Sequence, residues 1–255
     1  MKNIKKNIFD QQVVDFSKKN KNKELLERHK KILNLIYKHS VSSDSVLDVG
    51  CFDGKILKAL EKEGYKNLYG VDFSETSKNS FKDTNIHFKT YDIENDSLPF
   101  NNKFDVIVYT DVLEHLLSPQ ATLFDIRKHL SKNGKIIFSV PNAGFFLNGL
   151  LLSFLPSKLF LSSAFGPWGH TYHFTFYQIR KISEYLGFDL VEISGGWMKN
   201  YIFKSGIKKL FYDIFIFTVS MLSLIFPKIF SDHIFGVLEN SSRKPKEEVR
   251  YEAEV

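Results

Sequence analysis

Two short runs in this chain combine residue types and spacings suited to chemistry. The first is VLDVGCFDG (46–54), where Asp48 sits in an apolar stretch and Gly50 and Gly54 bracket Cys51, Phe52 and Asp53. Glycines let backbone turn tightly and approach a bound molecule, and the start of a following helix offers free amides to an anion. The second is DVLEH (111–115), which gathers Asp111, Glu114 and His115 on one turn. An imidazole with an intrinsic pKa of about 6.5 can take the proton of an alcohol or phenol as that oxygen attacks an electrophile. Two carboxylates and an imidazole could also hold a hard divalent ion that acidifies a catechol-like group, but no resident metal is expected. His170 and His173, in GHTYHFTF (169–176), are second choices for the proton transfer. Each histidine has a plainer reading as a packing or loop residue.

These residues need a scaffold of alternating strands and helices. Val46, Leu47 and Val49 suit a buried strand, Asp53 can cap the helix that follows, and Gly64 stops it. NLYGVD (67–72) reads as a second strand ending in Asp72, and IHFKTYD (86–92) as a third ending near Asp92. FDVIVYT (104–110) and GKIIFSVPN (134–142) supply a fourth and a fifth. A helix stopped by Gly187, a sixth strand, and HIFGVLE (233–239) as a seventh complete the series.

Three ligand readings compete for the glycine turn. A dinucleotide fingerprint needs GxGxxG, and a P-loop needs Gly-Lys-Ser/Thr, whereas Gly54-Lys55 is followed by Ile56. The turn resembles motif I of the class I S-adenosylmethionine-dependent methyltransferases, acid-x-Gly-x-Gly-x-Gly, with Phe52 in place of the middle glycine. Segments 104–116 and 134–142 resemble in particular the branch of quinone-precursor O-methyltransferases and sugar and small-molecule methyltransferases. The resemblance implies a doubly wound α/β, Rossmann-like sheet of seven strands in the order 3-2-1-4-5-7-6. It also implies that S-adenosylmethionine lies against Asp48, Gly50, Cys51, Asp53 and Gly54. Asp72 would then bind the ribose hydroxyls and Phe73 would flank the adenine. Asp92 would accept from the adenine amino group, with Ile93 packed on the ring, and Asp111 and His115 would lie near the sulfur.

The remainder of the chain bounds the setting. A length of 255 residues with 43% hydrophobic and 25% charged residues fits one globular domain, and the lone Cys51 excludes an internal disulfide or cysteine metal site. A reducing cytoplasm is the expected setting, at the inner face of a membrane if the apolar insertions dock there. The first forty residues carry a net charge of +7 against +6 for the whole chain, so the remainder is near neutral. This basic segment (1–40) is expected to form solvated helices ahead of a methyltransferase domain (41–240), with a charged tail (241–255). ELLERHKKILNLIYKHS (24–40) has apolar residues at helical spacing, Leu25, Leu26, Ile32, Leu33, Ile36 and Tyr37, and Arg28 on it could reach the methionine carboxylate.

Two apolar insertions, about 143–169 and 199–231, lie in loops that shape the acceptor pocket in the family. The second has thirteen uncharged residues from Ile214 to Phe226, about 20 Å as helix and short of a membrane's roughly 30 Å core. They could pack together as a lid, form a dimer seam, or lie in a membrane interface through 210–226, flanked by Lys199, Lys204, Lys208, Lys209 and Lys228. The acceptor expected is therefore a small molecule, sugar or lipid-linked intermediate methylated on oxygen. An RNA acceptor is the rival, favoured only by the basic start, and no nucleic-acid module is evident. A donor-binding scaffold without catalysis is the alternative from another class. Oligomeric state is open.

Overall fold

The computed structural model describes residues 25–154, 170–196, 207–242 and 245. Seven strands form one sheet in the order β3-β2-β1-β4-β5-β7-β6, as expected. They are β1 (Ser45–Val49), β2 (Asn67–Asp72), β3 (His87–Thr90), β4 (Phe104–Thr110), β5 (Leu130–Pro141), β6 (Phe188–Gly196) and β7 (His233–Asn240). The first five are parallel, and β7 runs antiparallel between β5 and β6. The helices are α1 (Glu27–His39), α2 (Lys55–Lys62), α3 (Pro119–Ile126), α4 (Phe146–Phe154), α5 (Phe176–Leu186), α6 (Ile207–Ile225) and the single turn α7 (Pro227–Phe230).

Strand side chains alternate between faces, and the sheet is buried on both, which explains why its strands read as nearly continuous apolar runs. Val46, Val106, Val108, Ile137 and Val237 point to one layer, under α1 and α2. Leu47, Ile107, Tyr109, Ile136 and Phe138 point to the other, packed by Leu123 of α3 and Ile179 of α5. On α1 the buried stripe is Ile32, Leu33, Leu35 and Ile36, whereas Tyr37 is exposed. Helix α5 starts with a reciprocal cap between Thr175 and Gln178 and ends at Gly187 in the left-handed region (φ 71°).

One expected cap is not there. Asp53 makes no cap to α2; the N-cap position is Gly54, left-handed at φ 72°. The turn is too tight for the Asp53 side chain to fold back on the helix amides, and its carboxylate instead faces Lys55 at 3.5 Å. The lysine-rich residues 1–24, the second half of the first insertion (155–169), the start of the second (199–206, with Lys199 and Lys204) and nearly all of the expected tail lie outside the described residues. No helix among the described residues is long and apolar enough to cross a membrane.

Candidate functional site

The glycine turn after β1 is built on Asp72. The amides of Gly50 and Cys51 donate to the Val71 carbonyl, joining the turn to the end of β2. The Phe52 amide donates to Asp72 Oδ2 at 2.8 Å, while Asp72 Oδ1 accepts from the Ser74 amide (2.8 Å) and Ser77 Oγ (3.2 Å). Gly50, Phe52 and Gly54 all have positive φ, so three left-handed residues within five fold the chain back on itself. Glycine is needed at Gly54 on two counts, since an added Cβ would also sit 2.4 Å from the Phe81 ring. Asp48 is buried below the turn, and burial, with Asp72 and Asp53 nearby, pushes its carboxyl well above the usual range. The Cys51 thiol is buried and pushed up for the same reasons.

Phe73 follows directly after Asp72 and is half-buried. Asp92 is two residues beyond β3 and buried; Oδ1 accepts from the Glu94 amide and Oδ2 from Asn95 Nδ2 at 2.9 Å. Ile93 beside it packs on the core. Asp72 and Asp92 therefore terminate neighbouring strands on the side of the sheet where the glycine turn lies, which is the side where open α/β sheets take ligands.

Past β4, Asp111 has φ 53°, a strained setting for a residue with a side chain. Its carboxylate accepts from Ser139 Oγ at 2.6 Å and meets Arg28 Nε of α1 at 3.2 Å. Burial disfavours its charge, but Arg28, His233, Ser139 and His29 outweigh burial and hold the carboxyl below its ordinary range. Glu114 is 1% exposed, and among the described residues neither carboxyl oxygen reaches a hydrogen-bond donor. Burial, then the Asp111 charge, pushes it well up. The Glu114 carbonyl accepts from the amides of Thr171 and Tyr172, which carries the 170–173 segment over the 111–115 turn. The His115 and His170 rings consequently meet edge to face at 4.8 Å. One ligand atom from each of Glu114, His115 and His170 lies within 4.8 Å of the others, a set that could hold a metal ion. His173 is exposed and is not in that set.

Two site residues were missed from sequence. His29, on α1 beside Arg28, is lowered to about 4, first by burial and then by Arg28 and Lys55. His233 opens β7, is 1% exposed and meets Asp232 Oδ1 at 3.1 Å. Burial lowers its pKa, yet Asp232 prevails and raises it. The available signal was directional: an antiparallel strand begins beside the ends of its parallel neighbours, which puts Asp232 and His233 near Asp111.

A family model, the methyltransferase domain, matches residues 13–193. A ubiquinone biosynthesis O-methyltransferase of Coxiella burnetii (strain Dugway 5J108-111) is 35% identical over 109 residues, 39% of this chain and 44% of that protein. One of Rickettsia akari is 28% identical over 110 residues, 42% of this chain and 43% of that one. The chain thus spans less than half the length of these curated relatives. Among solved structures, magnesium protoporphyrin IX methyltransferase from Synechocystis PCC 6803, with bound SAH, has TM-score 0.60 at 16% identity, covering 94% of this chain and 100% of that one. A chain of the Haloferax volcanii complex between the Trm112 methyltransferase activator and a putative methyltransferase has TM-score 0.62 at 16% identity, covering 93% and 98%. At such identities the structures attest the fold, and the family match covers most of the chain: it belongs to the methyltransferase domain family, as a class I S-adenosylmethionine-dependent member.

Proposed function

We propose that this chain transfers a methyl group from S-adenosylmethionine to an oxygen of a small molecule, sugar or lipid-linked intermediate. The observation that carries the donor reading is the Asp72 carboxylate, which locks the glycine turn and stands at the end of β2, where it can also accept from two ribose hydroxyls. Gly50, Cys51 and Gly54 then border the donor by their backbone, with Asp48 and Asp53 beside them. Phe73, Asp92 and Ile93 form the adenine end, and Asp111, beside Arg28, lies toward the methionine end.

In the reaction the acceptor oxygen forms a bond to the methyl carbon as the carbon–sulfur bond breaks. The sulfonium becomes a neutral thioether, and the acceptor proton must leave. The protein's work is alignment and exclusion of water. His115 is the proposed proton acceptor, and His170, 4.8 Å away ring to ring, can share that role or orient it. His173, exposed, is the weaker choice.

A second reading is favoured by the clustering of Glu114, His115 and His170 around one point. The buried Glu114 oxygens lack donors, which fits a carboxylate awaiting a cation, and one oxygen with two imidazole nitrogens suits a borderline or hard divalent ion. Such an ion would supply Lewis acidity toward an acceptor hydroxyl.

The deciding experiment incubates purified protein with methyl-labelled donor and separate aqueous and lipid extracts. Label should enter an oxygen-methylated product, and His115→Ala should lower transfer by about 10²–10⁴-fold with unchanged affinity for S-adenosylhomocysteine. Full transfer by His115→Ala would remove the base assignment, and label in RNA alone would replace the acceptor reading.

A further inference from the structure

Helix α6 is built inside out for a protein surrounded by water. Ile214, Phe217, Met221, Leu224 and Ile225 recur at helical spacing and form one stripe, and all are exposed, Phe217 at 66% and Leu224 at 76%. The positions facing inward include Val219 and two serines: Ser223 is buried, with Ser220 half-buried beside it. Among described residues the exposed apolar surface continues through Phe226 and Ile229 into α7, and through Leu150, Leu152 and Phe154 on α4. The Phe146–Phe230 ring contact, at 5.1 Å, joins α4 to α7. Asn142, just past β5, fastens α7 by donating to the carbonyls of Lys228 and Ser231, and holds α4 through its own carbonyl, which accepts from Asn148 Nδ2. Asn142 also pairs with Phe174, four residues from His170, so this surface borders the acceptor side of the site.

Charge selects among the surfaces that could cover it. No charged residue occurs from Ile214 to Phe226, while Lys208 and Lys209 stand in the first turn of α6 and exposed Lys228 at the far end. The whole chain carries +6. At 19 residues α6 is about 28 Å long, enough to lie flat in an interface with cations at each end. A protein partner's apolar groove would match the stripe but not the cations at both ends; anionic headgroups flanking a hydrocarbon boundary match both.

We propose that the exposed stripe of α6, continued by α7 and α4, docks this protein on an anionic phospholipid surface and turns its acceptor site toward the bilayer. The inference deepens the acceptor reading and rests on it only for the lipid-linked acceptor; vesicle binding needs neither donor nor acceptor, so each can fail alone. The test is flotation of the full chain with vesicles of phosphatidylcholine, with and without about 30% phosphatidylglycerol. Wild type should float with the anionic vesicles and much less with neutral ones. Phe217→Glu with Leu224→Glu should weaken partition about a hundredfold, and Lys228→Ala about fivefold. Without lipid, the double variant should keep its melting temperature, its S-adenosylhomocysteine affinity and its sedimentation coefficient. Four results overturn the proposal. They are no flotation of wild type, equal flotation of the double variant, a lipid-free loss of stability (the stripe is covered by this chain's own segments), or a wild-type dimer that the variant splits (a second copy covers it).

Discussion

Replacing Asp72 with asparagine should weaken S-adenosylhomocysteine binding by about two to three orders of magnitude while the sheet stays folded. In the structure the chain donors that reach this carboxylate include the Phe52 amide on Oδ2, and the Ser74 amide and Ser77 Oγ on Oδ1. A ribose hydroxyl on Oδ2 would share that oxygen with the Phe52 amide, and one on Oδ1 would compete with Ser77 Oγ. A hydrogen bond to a charged group contributes about 1.5–3 kcal/mol, so losing two costs about 3–4 kcal/mol after partial compensation by water, or about 150- to 1000-fold. Asparagine also turns an NH₂ toward either the Phe52 amide or the Ser74 amide, costing about 1–3 kcal/mol of stability. The assay is therefore calorimetric titration well below each variant's melting temperature, with Ser77→Ala as comparison. That change removes one hydrogen bond that positions the carboxylate but no proposed contact to S-adenosylhomocysteine, and should shift affinity less than about tenfold. A 2′-deoxy analogue of the product closes a double-mutant cycle: deletion of the hydroxyl should cost wild type much and Asp72→Asn little. Folded Asp72→Asn binding within about threefold of wild type, or an equal analogue penalty in both proteins, refutes the ribose assignment.

Gly54→Ala should destabilise by about 2–4 kcal/mol in urea unfolding, because it combines a left-handed backbone with a Cβ 2.4 Å from the Phe81 ring. Glu114→Gln should flatten the pH dependence of the melting temperature. The folded-state pKa of Glu114 is raised, so its contribution is full below the ordinary glutamate range and is lost as pH rises through the folded value. Wild type should therefore lose stability over that rise more steeply than the variant, and parallel curves would contradict a buried, unsatisfied Glu114. If the metal reading holds, manganese or zinc should raise the wild-type melting temperature at neutral pH, and Glu114→Gln should lose most of that rise; no metal effect on wild type removes that reading.

The sheet was legible because β1, β2 and β4 are short apolar runs that end at or just before Gly50, Asp72 and Asp111, with Asp92 just past β3, and because the order of those acids matches the family. The strand order itself came from resemblance; composition and periodicity do not encode which strand neighbours which. On α1 the helical spacing found the buried face but exchanged Leu35 for Tyr37, since the two lie at the stripe's edges and only the packed layer decides which turns inward. The cap at Asp53 failed for a local reason, the left-handed Gly54 immediately before α2. His29 and His233 were illegible for a longer-range one. Their environment is made by α1, β4, β5 and β7 meeting, and no spacing within a single run reports that meeting. His170 was named as a candidate, but its contact with His115 depends on the Glu114 carbonyl drawing the 170–172 segment back across 55 residues of chain.

The charges around Asp111 bear on how the site treats its donor. A sulfonium carries a full positive charge in the ground state and less in the transition state, as the methyl group moves to oxygen. A lone ionised carboxylate close to the sulfur would therefore hold the ground state more strongly than the transition state, tightening binding at the expense of rate. Asp111 does not stand alone. Arg28 meets it at 3.2 Å, Ser139 donates to it, and His233, tied to Asp232, lies near enough to favour its charge. Glu114, one turn on, is driven toward its neutral form by burial and by Asp111 itself. The local field is thus divided between a paired carboxylate and one whose charge is disfavoured, rather than summed from two equal anions. On the proposed reading, that pairing lets the site recognise the donor mainly through Asp72 and the glycine turn, at the adenosyl end, where contacts do not change as the methyl group leaves. Arg28 comes from α1, outside the strand-and-loop framework, so the pairing of Asp111 depends on α1 being packed on the sheet.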